Sequence, residues 1–274
     1  MTSRSPARLR IMTWNIWWRF GPQWRDRQDG IVTTMRALDP DVVGLQEVWG
    51  SESTTQVAEF GAQLGLHSAF APTSLPPVPD PPETPDQRNV HVGLGLLSRW
   101  PITAVRPVPM PARHRPPPVN LMASLQHPAG ALNVIVTCLE WEARFRDDHL
   151  AQADSLAELA TDTAFDGPLP VLVAGDLNAP AGSPAMRILT DVLIDTWDAG
   201  GGEPGAVTLS SAHPFAPKEV PELLDQRIDH VLVRPGHPGQ RVHVERAALA
   251  GHPVDGLEPS DHYAVTCDLT WFEK

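Results

Sequence analysis

The feature that most constrains this chain is an apolar run that ends in polar side chains, at residues 171–180. Its opening Val-Leu-Val-Ala has the apolar character of a buried β-strand, and Asp176 and Asn178 follow before Pro180 ends the run. Residues two apart in an extended chain share a face, so we expect both side chains to project together from the strand's carboxyl end. Open α/β sheets usually hold their chemistry there. The run therefore predicts a functional strand end, with an ordinary Gly-Asp turn as the structural alternative.

Four other strand-like runs also carry polar side chains. They are Asn15 at the end of 9–16, Glu47 within 41–48, Asp229 near the start of 227–233, and Asp261 with His262 just before 263–271. A carboxylate in a buried strand needs a partner or a metal ion, because burying an unpaired charge is costly. Strand alternation places Asp229 on a face with two valines, which predicts that it is semi-buried and has a partner.

Each of these residues also has a structural alternative. Asn15 could bond a turn at the end of its strand, and Glu47 could belong to a structural salt bridge. The pair Asp261-His262 could be a capped turn. The individual motifs leave these alternatives open.

The remaining pattern predicts mixed sheets in a single domain spanning 1–274. Further strands are expected at 92–98, 102–108, 119–126 and 131–139, and helices at 23–38, 52–64 and about 145–160, with a short helix capped by Ser183. Because strands and helices alternate irregularly, we expect an α+β protein with mixed β-sheets. Residues 71–90 form a proline-rich stretch, which is either a functional or mobile loop or a disordered surface insertion.

The charge balance limits the partners of this protein. The formal net charge is −12, whereas proteins that hold nucleic acid by its phosphates usually carry a basic face. This argues against a general nucleic-acid binder but leaves room for a local basic patch. The most basic loop, from Arg113 to Pro118, could clamp a phosphate or be a solvated turn, and we favour the turn.

The cysteines and the N-terminus indicate a cytoplasmic protein. Cys138 and Cys267 lie in apolar runs, which favours buried thiols, with a disulfide as the alternative. No apolar run approaches the length of a membrane span, so no transmembrane segment is expected. Residues 1–10 include basic side chains but no apolar core, so we expect no secretory signal.

Together, the candidate residues favour metal-assisted chemistry. They are four carboxylates, two amides and one imidazole: Asn15, Glu47, Asp176, Asn178, Asp229, Asp261 and His262. Carboxylate and amide oxygens are hard ligands that suit Mg²⁺ or Mn²⁺, whereas Zn²⁺ would prefer more His or Cys. No serine or cysteine lies in a nucleophile-elbow context. The set therefore predicts hydrolysis by an activated water, with phosphate as the electrophile.

Six short motifs follow one another along nearly the whole chain. They are Thr13-Trp14-Asn15, Leu45-Gln46-Glu47-Val48, Gly95 to Ile102, Gly175-Asp176-Leu177-Asn178, Arg227-Ile228-Asp229-His230 and Ser260-Asp261-His262. In this order they resemble the endonuclease/exonuclease/phosphatase superfamily, which contains DNase I-like nucleases, apurinic endonucleases, inositol polyphosphate 5-phosphatases and neutral sphingomyelinases. The resemblance implies a four-layer α/β/β/α sandwich of two packed mixed β-sheets with outer helices.

The resemblance also implies a metal site. Glu47 would be the principal ligand of the metal, helped by Asn15 and Asp261 directly or through water. Many members of the superfamily carry an acidic residue two positions after the first asparagine, where this chain has Trp17. This departure is expected to reduce metal ligation or to leave one metal site rather than two.

The remaining roles implied by the resemblance concern water and phosphate. Asp176 would orient or deprotonate the attacking water, and Asn178 would hold the phosphate or the water. His262 would contact the phosphate oxygens while Asp229 fixes its ring. This agrees with the residue chemistry, because a buried carboxylate stabilises a cationic imidazole.

A second departure concerns the leaving-group side of the site. Many members carry a His or Tyr after the strand that here ends near Thr137, and the matching residue is Cys138. Glu140, His91 or His149 could substitute for the missing group, although His149 is expected to be a surface or partly buried structural histidine.

The sequence leaves three functions open. The first is a Mg²⁺- or Mn²⁺-dependent phosphoesterase acting on a phosphomonoester or phosphodiester, with a small or lipid-like substrate favoured by the acidic balance and by tryptophans near the site. The second is a Mg²⁺-dependent nuclease, which would need a positive groove built from arginines. The third is a non-catalytic binding protein, against which the joint presence of the site residues argues. The candidate substrate-binding residues are Arg88, Arg113, Arg115 and Trp141, and Arg144 and Arg146 complete the possible basic groove.

Overall fold

The apolar runs of the sequence form the strands of two β-sheets. The computed structural model describes residues 8–273 and has twelve strands and five α-helices in that part of the chain. The strands are β1 (Leu9–Asn15), β2 (Val42–Gly50), β3 (His67–Pro72), β4 (His91–Ser98), β5 (Ile102–Pro109), β6 (Val119–His127), β7 (Gly130–Cys138), β8 (Val171–Asp176), β9 (Ile194–Asp195), β10 (Asp229–Arg234), β11 (Gln240–Ala250) and β12 (Ala264–Glu273). The helices are α1 (Trp24–Leu38), α2 (Gln56–Leu64), α3 (Arg146–Ala160), α4 (Pro184–Thr190) and α5 (Thr196–Ala199).

Each sheet contains six strands and is mixed. The strand order is β11-β12-β1-β2-β4-β3 in the first sheet and β5-β6-β7-β8-β10-β9 in the second. β1 is parallel to β2 and β7 is parallel to β8, and the other pairs among the described residues are antiparallel.

The sheets pack face to face, and helices cover their outer faces. Alternation along β1 reveals these layers, because Leu9 and Ile11 lie in the core between the sheets, whereas Met12 and Trp14 belong to the core beneath α1 and α2. A third core joins α3 and α4 to the second sheet. Strands buried on both faces have nearly continuous apolar sequences, which made them recognisable. The predicted α+β class and α/β/β/α sandwich are confirmed.

Two strands of six or more residues have no counterpart among the predicted ones. β3 and β11 lie at opposite edges of the first sheet, where exposed polar side chains interrupt the apolar pattern. β11 also contains a register shift between Val244 and Arg246. Edge strands tolerate polar side chains and bulges because one side of the strand has no neighbour.

The proline-rich stretch 71–90 is an ordered segment that packs against α1. Gln87 is buried, and the Asp86 carboxylate accepts hydrogen bonds from Arg25 Nη1 at 2.6 Å and from Trp24 Nε1 at 3.1 Å. The stretch begins with the end of β3 and includes a short 3-10 turn. The alternative of a disordered surface insertion is therefore wrong.

Cys138 and Cys267 are buried free thiols, as predicted. Within the described residues, every helix is too short or too polar to cross a membrane. Most of the segment 1–10, which carries the prediction of no secretory signal, lies outside the described residues.

Candidate active site

The predicted site residues meet where strand ends of the two sheets come together. β8 and β10 are antiparallel, so Asp176 at the end of β8 pairs directly with Asp229 at the start of β10. β12 is the antiparallel neighbour of β1, so Asp261 and His262, just before β12, lie beside the end of β1 at Asn15. Asn15 Nδ2 donates to Asp176 Oδ2 at 3.1 Å, which joins the first sheet to the second.

Asn15 also holds the carboxylate of Glu47. Its Nδ2 donates to Glu47 Oε1 at 2.8 Å, and its Oδ1 accepts from the backbone N–H of Trp17 at 3.0 Å. Glu47 lies where β2 shifts its register against β4, and its backbone is left-handed with φ 54°. Such an irregularity redirects a side chain out of the regular strand alternation. The bulge in β2 therefore explains how a carboxylate from an apolar strand reaches the site.

The second carboxylate oxygen of Glu47 has no protein partner. Its Oε2 atom is buried and accepts no hydrogen bond from the described residues. Burial, reinforced by repulsion from Asp261, raises the pKa of Glu47 to about 8, against the opposing hydrogen bond from Asn15. No arginine or lysine among the described residues forms an ion pair with Glu47, so the structural salt-bridge alternative finds no partner.

Asp176 and Asn178 both line the same cleft, but not by strand alternation. β8 ends at Asp176, and Asn178 has a left-handed backbone with φ 46°. The Asn178 N–H donates to Asp176 Oδ1 at 3.0 Å, and its Nδ2 donates to the Leu139 carbonyl at 3.0 Å. Burial and the neighbouring Asp229 carboxylate raise the pKa of Asp176 to about 7, against the opposing influence of nearby donors. A carboxylate with a pKa near neutrality is suited to accept a proton.

Asp229 and His262 form a buried pair. His262 Nδ1 donates to Asp229 Oδ2 at 2.9 Å. Asp229 is fully buried, not semi-buried as predicted, because the packed sheets cover the start of β10. Burial alone would lower the pKa of His262, but attraction to Asp229, Asp261 and Asp176 outweighs it and raises the pKa well above 6.5. The ring is therefore cationic at neutral pH, with Nε2–H as a second donor.

A divalent cation fits the end of this cluster nearest Glu47. The unpaired Oε2 of Glu47 and the Asp261 carboxylate supply hard oxygen ligands, and repulsion between these groups calls for positive charge. Buried Arg27 contributes charge nearby, but its guanidinium donates to backbone carbonyls, including that of Phe20 at 2.8 Å. The donor set therefore suits Mg²⁺ or Mn²⁺.

A second group of possible ligands fits a metal less well. One ligand atom each from Asp176, Asp229 and His262 lies within 4.8 Å of the others. However, His262 Nδ1 already donates to Asp229, and the raised pKa keeps its imidazole protonated. A metal-binding imidazole must be neutral, so the Glu47 end is the better metal site.

The cluster opens into a cleft of about 740 Å³. Five of the seven predicted residues line it, whereas Asn15 and Asp229 lie behind this surface and contact the lining residues. Trp17 and Phe215 form an aromatic pair on its wall, with ring centroids 5.6 Å apart. The cleft thus combines a charged floor with a partly apolar wall.

The four predicted substrate-binding residues divide into two pairs. Arg115 and Trp141 line the cleft, whereas Arg88 and Arg113 do not. The Arg115 side chain is only 10% exposed, with Nε 3.0 Å from Glu140 Oε2 and Nη2 bonded to Glu142. The solvated-turn prediction for this loop is therefore wrong at Arg115, because the two glutamates draw its side chain inward.

The two departures from the superfamily pattern both face the cleft. Trp17 presents an indole where an acidic ligand was expected, and Cys138 pairs with Asp176 in the β7–β8 ladder. Burial, reinforced by nearby carboxylates, raises the pKa of the Cys138 thiol, so it is neutral at neutral pH. Among the possible substitutes, Glu140 is buried and His91 lies outside the cleft.

His149 is a half-buried histidine, in agreement with its predicted structural role. Its Nε2 donates to the Leu177 carbonyl at 2.9 Å, and burial lowers its pKa. It therefore supports the turn between β8 and the following loop rather than lining the main cleft.

One side of the cleft was missed by sequence reasoning. Phe215 and Lys218 come from the long connection between α5 and β10, whose own apolar cluster includes Leu209 and Ile228. This connection has no helix or strand period, which is itself a signal, since long ordered loops are often functional. Lys218 is also one of only two lysines in the chain.

Comparisons with known proteins identify the family and agree with the fold. The model of the Endonuclease/Exonuclease/phosphatase family matches residues 12–262. An endonuclease/exonuclease/phosphatase structure from Beutenbergia cavernae DSM 12333 is 25% identical, with 96% of this chain and 71% of that chain covered and a TM-score of 0.73. No curated protein matches the chain.

Two further solved structures share the fold at lower identity. The human Nocturnin catalytic domain with bound sulfate is 20% identical, covers 99% of this chain and 96% of its own, and has a TM-score of 0.73. D. rerio TDP2 complexed with a single-strand DNA product is 17% identical, covers 96% and 99%, and has a TM-score of 0.70. At these identities the likeness concerns the fold alone.

Proposed function

The chain belongs to the endonuclease/exonuclease/phosphatase family, and on this premise we propose that it is a divalent-metal-dependent phosphoesterase. The reaction is hydrolysis of a phosphomonoester or phosphodiester by an activated water. The observation that carries the proposal is the buried cluster around Glu47, Asp176 and His262, which combines an unpaired carboxylate oxygen, a carboxylate with a pKa near 7 and a cationic imidazole.

Glu47 is the proposed principal ligand of Mg²⁺ or Mn²⁺, with Asp261 beside it. Asn15 supports Glu47 through its Nδ2, and its Oδ1 already accepts one hydrogen bond from Trp17. A bound divalent ion would neutralise charge on the phosphoryl oxygens. Trp17 supplies no carboxylate, which supports a single metal site.

The chain's own residues supply the remaining chemistry. Asp176 accepts a proton from the attacking water, because its raised pKa makes it a base near neutrality. Asn178 lies next to it and holds a phosphate oxygen through its side-chain amide. His262 donates from Nε2 to another phosphate oxygen, while Asp229 fixes the ring and stabilises its positive charge.

The cleft wall favours a small or amphipathic substrate over a long nucleic acid. Trp17 and Phe215 form an aromatic surface, and prolines of the stretch 71–90 also line the cleft. Three glutamates, including Glu83 and Glu219, lie on the outer wall of the cleft. They outnumber the two cationic side chains there. A polyanion would meet repulsion from such a wall, whereas one phosphate with an apolar substituent would not.

Nuclease activity is the second candidate function. The Trp17–Phe215 pair on the cleft wall could stack a base, and D. rerio TDP2, which shares the fold, was solved with a single-strand DNA product. Against this candidate, the predicted basic groove is largely neutralised: Arg115 forms ion pairs with two glutamates, Arg144 Nε lies 2.5 Å from Glu142, and Arg113 Nη1 lies 3.9 Å from Asp147. A nuclease of this kind would show DNA binding that weakens steeply with salt.

A non-catalytic binding role has less support. A binding role would not require a base, Asp176, beside an imidazolium, His262. Burying each of these charged groups costs desolvation free energy. The departures at Trp17 and Cys138 are the features in its favour.

The deciding experiment is phosphoester hydrolysis with Mg²⁺ or Mn²⁺, with and without EDTA, on plasmid DNA, an aryl phosphodiester, inositol phosphates and sphingomyelin. We expect EDTA-sensitive cleavage of one class and a loss of about 10²-fold or more in kcat for Asp176→Asn. The matched control is Asp154→Asn, which makes the same change from carboxylate to amide at an exposed position on α3. Thermal unfolding verifies that both variants fold.

Each contrary result is informative. Undiminished turnover by Asp176→Asn would overturn the assignment of the base, and turnover in EDTA would overturn the metal dependence. A folded protein without turnover on any substrate would instead favour the binding role.

A further inference from the structure

A second, smaller cavity adjoins the main cleft. It measures about 190 Å³ and shares Trp141, Glu142, Asn178 and Leu223 with the cleft. At about 30 Å³ per water molecule, this is room for roughly six waters. The cavity can therefore hold a small substituent but not a long chain.

Asn178 lies at the boundary between the two cavities and is held there firmly. Its N–H donates a hydrogen bond to Asp176, and its Nδ2 donates one to the Leu139 carbonyl. Its backbone is held in the left-handed region. A non-glycine residue keeps this conformation only where its surroundings enforce it. A phosphate held by Asn178 would therefore have open space on both sides.

The smaller cavity carries polar groups that the protein itself does not use. The Arg146 guanidinium has no hydrogen-bond or ion-pair partner among the described residues. His149 donates from Nε2 to Leu177, so its Nδ1 remains a free acceptor, and the Ser183 hydroxyl oxygen accepts from Met186 N while its proton remains free. A hydroxyl-bearing group would find both donors and an acceptor here.

Trp141, on the shared wall, supplies an independent observation. Its Nε1–H is buried and has no acceptor among the described residues. An unsatisfied buried donor costs about 1–3 kcal/mol. An ester or phosphate oxygen at this wall would remove that cost.

We propose that the smaller cavity is the binding site for the second ester group of a phosphodiester, an inference that rests on the function proposed above. The larger, apolar substituent occupies the main cleft beside Trp17 and Phe215, and a short alcohol group occupies the space between Arg146 and Asn178. In hydrolysis, the water oxygen bonds to phosphorus and one P–O ester bond breaks. The departing alcohol takes a proton, and the product is a phosphomonoester.

The test uses three esters that release the same leaving group. They are p-nitrophenyl phosphate, ethyl p-nitrophenyl phosphate and thymidine 5′-(p-nitrophenyl phosphate). Leu150→Trp fills the smaller cavity from α3, and Glu222→Trp obstructs it from an exposed position. Asp154→Trp places the same indole on an exposed part of α3 outside both cavities.

We expect the ratio of kcat/KM for ethyl p-nitrophenyl phosphate to that for the monoester to fall at least tenfold in the cavity variants. The control should keep the wild-type ratio. The thymidine ester, whose second arm exceeds the cavity, should be hydrolysed less efficiently than the ethyl ester by the wild type. Using Glu222→Trp as well as Leu150→Trp guards against misfolding, which thermal unfolding detects.

The outcomes separate the two proposals. A ratio unchanged in both folded cavity variants overturns the second-ester site and leaves the phosphoesterase function intact. A wild-type preference for the thymidine ester over the ethyl ester also overturns it. If the wild type hydrolyses none of these esters and none of the substrates in the panel above with Mg²⁺ or Mn²⁺, the proposed function fails, and the inference that rests on it falls too.

Discussion

At the scale of single residues, Asn15 separates two carboxylates that would otherwise repel each other. Its Nδ2 donates to both Glu47 and Asp176, so each carboxylate faces a hydrogen-bond donor on that side. Burial still raises both pKa values, helped by repulsion from Asp261 at Glu47 and from Asp229 at Asp176. The site is therefore built to attract positive charge, at a cost in stability when no cation is bound.

This cost predicts a pH-dependent stability of the metal-free protein. Glu47 and Asp176 ionise near pH 4 in the unfolded chain and at about 8 and 7 in the folded one. Between these values the folded state binds more protons, so the free energy of unfolding should fall as pH rises from about 4 to 8. Urea unfolding in EDTA across this range measures the effect.

Two controls belong to this prediction. At the proposed metal site, Mg²⁺ would bind the ionised carboxylates of the folded state, so it should restore stability more at high pH than at low pH. Glu47→Gln removes one titrating group and should flatten the pH dependence. An equal slope in this variant would show that Glu47 ionises normally.

Arg115 lines the cleft, and we predict that its substitution weakens substrate binding. Its guanidinium bridges Glu140 and Glu142, while Nη1 makes no hydrogen bond with a described residue. Lysine keeps the charge but cannot bridge two carboxylates and a phosphate in a fixed plane. Arg115→Lys should therefore lower kcat/KM by about tenfold or more, since a charge-assisted hydrogen bond contributes about 1.5–3 kcal/mol.

The matched control is Arg113→Lys, in the same loop but outside the cleft. Steady-state kinetics should show no change for this variant. A wild-type kcat/KM in folded Arg115→Lys would mean that the guanidinium only supports the loop.

At the scale of elements, capping side chains set where helices begin. Ser183 Oγ accepts from Met186 N at 3.3 Å, which confirms the predicted cap of α4. The helix predicted from residue 52 instead begins at Gln56, because Thr55 caps it and the preceding residues form a turn. Serine and threonine satisfy free backbone N–H groups most readily at such positions.

We predict that Thr55→Ala destabilises the protein by about 1 kcal/mol. The Thr55 hydroxyl accepts from Ala58 N at 3.2 Å, and alanine would remove this side-chain acceptor, leaving the N–H only its 3.0 Å hydrogen bond to the backbone carbonyl of residue 55. Urea unfolding measures the change. Thr33→Ala, an exposed position within α1, should change stability by less than about 0.5 kcal/mol. Equal effects of the two substitutions would argue against the cap.

At the scale of the whole molecule, the two sheets approach closely beneath the site. A Cβ atom at Gly44 of β2 would lie 2.8 Å from the Cβ atom of Ala174 on β8 and 3.2 Å from a methyl carbon of Val136 on β7. This close approach allows residues of one sheet to contact those of the other. The hydrogen bond from Asn15 to Asp176 depends on the same spacing.

Gly44→Ala should therefore destabilise the protein by about 1–3 kcal/mol, the usual cost of overpacking a core. Differential scanning calorimetry measures the loss. The control is Gly167→Ala, where an added Cβ meets no atom within 4 Å and the backbone is not left-handed. A neutral Gly44→Ala would mean that the sheets can separate without cost.

From the sequence, the strand pattern predicted mixed β-sheets, and the resemblance to the superfamily implied the two-sheet sandwich and the roles of the candidate site residues. Apolar runs identified the buried strands, because strands covered on both faces carry few polar residues. Polar residues within or beside those runs, such as Glu47 and Asp229, indicated positions that the structure brings together. Edge strands such as β11 were not predicted, because exposure on one side removes the apolar pattern.

Only the tertiary structure decided which residues meet. Asn15 contacts Asp176 across 161 residues of sequence, and Arg115 reaches Glu140 from a loop that resembled a solvated turn. No local pattern encodes such contacts, because they depend on how the sheets pack and on where connecting loops can close. For the same reason, the smaller cavity beside Asn178 exists only in the folded chain, where α3 and α4 come together.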